Sequence, residues 1–67
     1  MKRVSGKRLC QVLEARGWTR IRVNGSHFIY ARPGQPNVTV PVHANRDLRP
    51  RTQKGIMRQA GLTDADL

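Results

Sequence analysis

Beyond its positive charge, the chain offers chemistry only two histidines, one cysteine and four carboxylates. Imidazole ionises in the physiological range and can both take and give a proton, so His27 and His43 are the natural candidates for catalysis. His27 lies in Asn24-Gly25-Ser26-His27-Phe28-Ile29-Tyr30, where a turn signal runs into strand-forming residues. Asn24-Gly25 is a strong hairpin dipeptide, which sets the imidazole where turn becomes strand. A histidine in that position is structural more often than not, and only its surroundings can raise the catalytic reading. His43 has two readings: a second acid/base group, or a side chain bonding the Ala44-Asn45 turn. The turn role is the better one.

The carboxylates Glu14, Asp47, Asp64 and Asp66 form no catalytic pair, and no Cys/His cluster has metal-ligand spacing. Metal-dependent nuclease chemistry, nucleotide loops and cofactors are therefore not expected. Asp47 reads as a helix cap or an arginine partner. Cys10 cannot form an intrachain disulfide and reads as a small hydrophobe at a helix seam in a reducing compartment. With no apolar run of the roughly 20 residues a span requires, a cytoplasmic protein is expected, with no membrane partner.

Charge is the strongest global signal. Thirteen Lys and Arg face four acids in 67 residues, a formal net charge of +9, with a pI near 11.7. Such a balance marks a nucleic-acid binder or a binder of strongly acidic partners. Ten of the thirteen cations are arginine, which favours bidentate phosphate contacts. Arg46, Arg49, Arg51 and Lys54 gather near the start of a predicted helix, whose free N–H groups already favour phosphate. Arg20 and Arg22, on the outer face of a predicted strand, are weaker candidates. Gly25 supplies the turn and allows a backbone to approach phosphate closely. Ser26 either bonds phosphate, orients His27, or is a plain turn hydroxyl.

The elements that must position these groups follow from periodicity. Ser5 is an N-cap for a helix over about Gly6 to Arg16, with Val4 and Leu9 at staple positions and Gly17 at the end. Leu9, Val12 and Leu13 share its apolar face. Trp18 to Val23 reads as a strand, with Ile21 and Val23 on one face and Arg20 and Arg22 on the other. A second strand from His27 to Arg32 points Phe28 and Tyr30 inward and His27, Ile29 and Ala31 outward. Pro33-Gly34-Gln35-Pro36-Asn37 is a turn. Val38-Thr39-Val40-Pro41-Val42 is a third strand, placed on an edge by Pro41. A second helix runs from about Arg51 or Thr52 to Ala60, with Ile56, Met57 and Ala60 buried and Gly61 ending it. Gly55 within it implies close packing or a close ligand. Thr63-Asp64-Ala65-Asp66 starts a further capped turn. The result is one α+β domain over residues 1–67, in α-β-β-β-α order. Two helices cover one face of a three-stranded antiparallel sheet, and the other face is open.

Gly25-Ser26-His27 after the first strand, Val38-Thr39-Val40-Pro41-Val42-His43 as the third, and Ile56-Met57-Arg58-Gln59-Ala60-Gly61-Leu62 closing the second helix resemble the HicA toxin family. The likeness spans nearly the whole chain. It implies a fold similar to a double-stranded-RNA-binding domain. It also implies an mRNA interferase of a type II toxin–antitoxin system, whose HicB-like antitoxin masks the active site. The family's catalytic histidine sits in Gly-Ser-His, so the resemblance gives His27 that role. Arg51-Thr52 stands where members commonly carry Gly-Thr, and Gly55 and Met57 are also less usual there. These departures touch the helix entrance and leave Gly-Ser-His intact.

Overall fold

A computed structural model describes residues 1–67. Its order is α1 (Gly6–Ala15), β1 (Thr19–Asn24), β2 (His27–Ala31), β3 (Val38–Pro41) and α2 (Pro50–Ala60), followed by a single 3-10 turn over Asp64–Asp66. The sheet is antiparallel in the order β1-β2-β3, which agrees with the expected α-β-β-β-α meander.

The local reasons are those of the sequence. Ser5 caps α1 by accepting the Arg8 N–H at 3.0 Å. Gly17 follows the helix at φ +89°, in the left-handed region that glycine enters freely. Leu9, Cys10, Val12 and Leu13 are buried, so Cys10 does behave as a small core hydrophobe. Arg49 precedes α2 without a side-chain cap bond and Pro50 takes its first turn, where a missing N–H costs nothing. Gly61 closes α2 at φ +69°. Thr63 and Asp66 form a reciprocal capping box around the last turn. No helix is long and apolar enough to cross a membrane.

The core lies between the helices and the inner sheet face and includes Leu9, Leu13, Trp18, Tyr30, Val38, Val40, Ile56 and Met57. Gln53 is its one buried polar side chain. It accepts the Val4 N–H at 3.1 Å and donates to the Lys2 carbonyl at 2.6 Å, which satisfies its amide and pins the N-terminal segment to α2. Gly6 is where α1 meets β3. A Cβ there would stand 2.1 Å from the Pro41 carbonyl oxygen, so only glycine admits this approach.

The first strand departs from expectation. Thr19 to Asn24 forms β1, and its register with β2 shifts between Arg20 and Arg22. Ile21 is the extra residue of a β-bulge. Arg20 therefore pairs with Tyr30 and Val23 with Phe28, while Arg22 pairs with Ile29. Arg20 and Val23 share the inner face and Arg22 the outer one, so Ile21 and Val23 do not form a common buried face. Ile21 is 54% and Val23 49% exposed. Trp18 lies outside the strand, buried in the core.

Candidate active site

The hairpin that carries His27 is one residue offset from its sequence signal. Asn24 pairs with His27, so Gly25 and Ser26, not Asn24 and Gly25, are the loop. Gly25 has φ +61° and Ser26 does not have positive φ, the signature of a type II′ turn with glycine first. His27 thus opens β2 directly after the turn, on the outer face shared with Ile29. It is exposed, and its ring makes no hydrogen bond within the protein.

Across the sheet, His27 faces Pro41. The pairing continues one step past β3, because the Val42 N–H donates to the Ser26 carbonyl at 2.7 Å. Hydrogen-bonded and non-bonded pairs alternate in such ladders. Ser26/Val42 is a bonded pair, so His27/Pro41 is a non-bonded one, which is why a residue without an N–H fits there. This bond ties the His27 hairpin to β3. Ser26's own hydroxyl neither bonds His27 nor closes the turn, so the orienting role has no contact behind it.

Pro41 also lines a cleft of about 530 Å³ with His43, Arg46, Asp47, Leu48, Arg49 and Thr52. The segment from His43 to Arg49 forms most of its wall. The Arg46 N–H bonds the His43 carbonyl at 3.0 Å, closing a tight turn through Ala44, the only non-glycine residue at positive φ (+51°). Leu48 is buried beneath. Its N–H bonds the Val4 carbonyl at 2.9 Å, and its own carbonyl accepts from the Arg3 guanidinium at 2.6 Å. These bonds fix the loop to the N-terminal segment, and so fix the arginines at the start of α2. The side chain of His43 makes no bond to the Ala44-Asn45 turn; its backbone carbonyl does that work instead. Asp47 neither caps α2 nor forms an ion pair. Its backbone bridges Ser5, and its carboxylate lines the cleft.

The sequence-derived cations separate into sets. Arg46 and Arg49 line the cleft. Arg22 shares the outer sheet face with His27. Arg20 does not: the bulge turns it inward, its guanidinium 5.5 Å from the centre of the Phe28 ring. Arg51 and Lys54 line a different cavity, of about 710 Å³, with Met1, Met57, Arg58 and Leu62. The expected cluster at the start of α2 is thus split across two sides of the helix. Thr52 and Pro41 complete the cleft and were not picked out from sequence. Helical spacing held the signal for Thr52, which lies three residues after Arg49, while Arg51, Lys54 and Arg58 follow another stripe. Gly55 meets nothing in the chain: a Cβ there would find no atom within 4 Å, so close packing within the fold does not require it. No group of three or more His, Cys, Asp or Glu side chains converges anywhere in the fold.

Fold and site together define a class: a small, strongly basic α+β domain presenting an imidazole from a tight hairpin beside an arginine-lined cleft. Residues 6–62 match the family described as the HicA toxin of bacterial toxin–antitoxin systems, and the chain belongs to that family. Among solved structures, it is similar to a chain of a toxin–antitoxin complex from Streptococcus pneumoniae. The two share 32% identity at a TM-score of 0.75, over 88% of this chain and 98% of the other. No match was found among curated proteins.

Proposed function

We propose that this HicA-family toxin is a ribonuclease that cleaves mRNA without a metal, with His27 as general acid/base. The observation that carries the reading is the placement of His27. It is fixed by a type II′ turn and a cross-strand pair, exposed, free of internal hydrogen bonds, and directly opposite the proline that lines the arginine cleft. Cleavage of an RNA phosphodiester needs a group for the 2′-OH proton and positive charge for the phosphorane oxygens. His27 supplies the first. Arg46 and Arg49 supply the second, with Arg22, Gly25 and Ser26 flanking the histidine on the RNA path. Arg51 and Lys54 extend the positive surface on the far side of α2.

The partner is a HicB-like antitoxin with an acidic face covering His27 and the cleft. The similarity to a chain from a toxin–antitoxin complex supports it, as does the net charge of +9. The site of action is cytoplasmic mRNA.

The test is in vitro mRNA decay in EDTA, comparing wild type with His27→Ala. Cleavage by the wild type, lost in a folded variant that still binds RNA, is expected. If both bind RNA and neither cleaves it, the protein is a binding module. If both cleave alike, the active site lies elsewhere.

A further inference from the structure

The chain has no histidines besides His27 and His43, and the fold brings both to one end of the sheet: His27 opens β2, and His43 lies two residues past the end of β3. His27 pairs with Pro41. The Val42–Ser26 bond keeps the pairing in register one residue further. Strand alternation then returns His43 to the face of Pro41, and both line the same cleft. His43, two residues past the His27 partner Pro41, thereby takes the diagonal position to His27, and diagonal neighbours across an antiparallel pair stand roughly 7–8 Å apart, with their Cβ atoms somewhat closer. Its side chain has no internal partner and is exposed. Backbone bonds on both sides of it, Val42 to Ser26 and Arg46 to His43, fix its position without using its ring.

We propose that His43 is the second proton-transfer group of the site, working with His27 across a single RNA phosphate anchored by Arg46 and Arg49. This rests on the ribonuclease reading above. Two imidazoles at that spacing leave room for one phosphodiester, with an oxygen toward each ring at the roughly 2.6–3.2 Å that proton transfer requires. In the step, the 2′-oxygen attacks phosphorus while its proton passes to the neutral imidazole. The P–O5′ bond breaks, and the protonated imidazole gives its proton to the departing 5′-oxygen. The products are a 2′,3′-cyclic phosphate and a 5′-hydroxyl. No oxidant or co-reactant is needed, and the two rings exchange protonation states over the turnover. The groups facing His43 are Arg46, Asp47, Arg49 and Thr52 around the cleft. Those facing His27 are Asn24 and Pro41, with Arg22 diagonal.

The experiment compares wild type, His27→Ala, His43→Ala and His43→Gln on a short RNA and on the same RNA with sulfur as the 5′-bridging atom. A thiolate leaves without a proton donor. Both His43 variants are expected to keep the fold and RNA binding while losing kcat by about 100- to 10,000-fold, the worth of one acid or base. The bell-shaped pH profile of the wild type should lose one limb in them. The sulfur substrate should restore cleavage to the variants at one histidine, the acid, and leave those at the other inactive. The proposal is overturned if His43→Gln cleaves the normal RNA within about threefold of wild type, or if its loss lies wholly in KM. Failure of the sulfur substrate to restore either histidine's variants also overturns it. An inactive wild type, or a fully active His27→Ala, instead overturns the ribonuclease reading at His27, and the pairing falls with it.

Discussion

Tyr30 is the side chain on which the helix and sheet layers meet most closely. It is fully buried in the middle of β2, and its hydroxyl donates to Glu14 Oε2 at 2.6 Å. Burial, then the bonds to Cys10 and Glu14, push the phenol far above its ordinary value of 10.0. Burial likewise raises the Cys10 thiol from 9.0, with Tyr30 and Arg20 opposing and Glu14 adding to the rise. Both groups therefore keep protons in the folded chain that the unfolded chain gives up. Their contribution is complete below the unfolded values of 9.0 and 10.0 and is lost as pH rises above them. Urea unfolding at a series of pH values should show stability falling from about pH 9 upward. In Tyr30→Phe the fall above pH 10 should be shallower, leaving the thiol's share. An unchanged slope would mean that the phenol does not govern alkaline stability. The bonding of Tyr30 to Glu14 is a long-range fact that no periodicity announces. That Tyr30 points inward was legible from the parity of an unbroken β2, but Ile29, read as outward, is buried, and Phe28, read as inward, is only half-buried.

At the scale of elements, what could be read depended on regularity. The alternation of Val38, Thr39 and Val40 gave β3 its buried and exposed faces, and Pro41 marked its edge position; both expectations hold. β1 misled because a bulge consumes one residue without leaving a trace in composition. Ile21 and Arg22 both stand opposite Ile29, so the parity of Arg20 inverts. The turn shifted by one because Asn-Gly and Gly-Ser are both hairpin dipeptides, and only pairing chooses between them. The loss of Arg51 and Lys54 from the cleft is different in kind: their stripe on α2 was readable from helical spacing. Gly55 sits mid-helix, exposed and unobstructed. Gly55→Ala should therefore raise stability by about 0.5–1 kcal/mol through helix propensity and a less disordered unfolded chain. Urea denaturation reads this directly, and a loss of stability would show that the position is not free. RNA cleavage should be unaffected, since Gly55 lies away from the cleft.

Over the whole molecule, the few acids are spent away from the hairpin. Glu14 accepts from Tyr30, Asp66 pairs with Arg16, and Asp64 lies 3.8 Å from the N-terminal amine. Only Asp47 lies at the cleft, so the field there is left almost uncompensated. Binding to single-stranded RNA should weaken steeply with salt, by about 0.7 in the log–log slope for each phosphate contact. Arg46→Ala and Arg49→Ala should each reduce that slope by about 0.7, and Arg51→Ala by less, because it faces the other cavity. Titrations at several salt concentrations would decide this. Equal losses at all three positions would mean that RNA wraps α2 instead of ending at the cleft.

Trp18 is the chain's one tryptophan, buried at the far end of the sheet from the Gly25-Ser26 turn, with the Arg32 guanidinium 5.1 Å above its ring. Its indole N–H is enclosed without a partner. The molecule therefore contains a single indole fluorophore in an apolar setting. Its emission should shift to the red when the core opens and stay still when a ligand occupies the cleft. Every variant at His27, His43, Arg46 or Arg49 can thus be checked for folding in the cuvette that holds the RNA, with no dye or label attached.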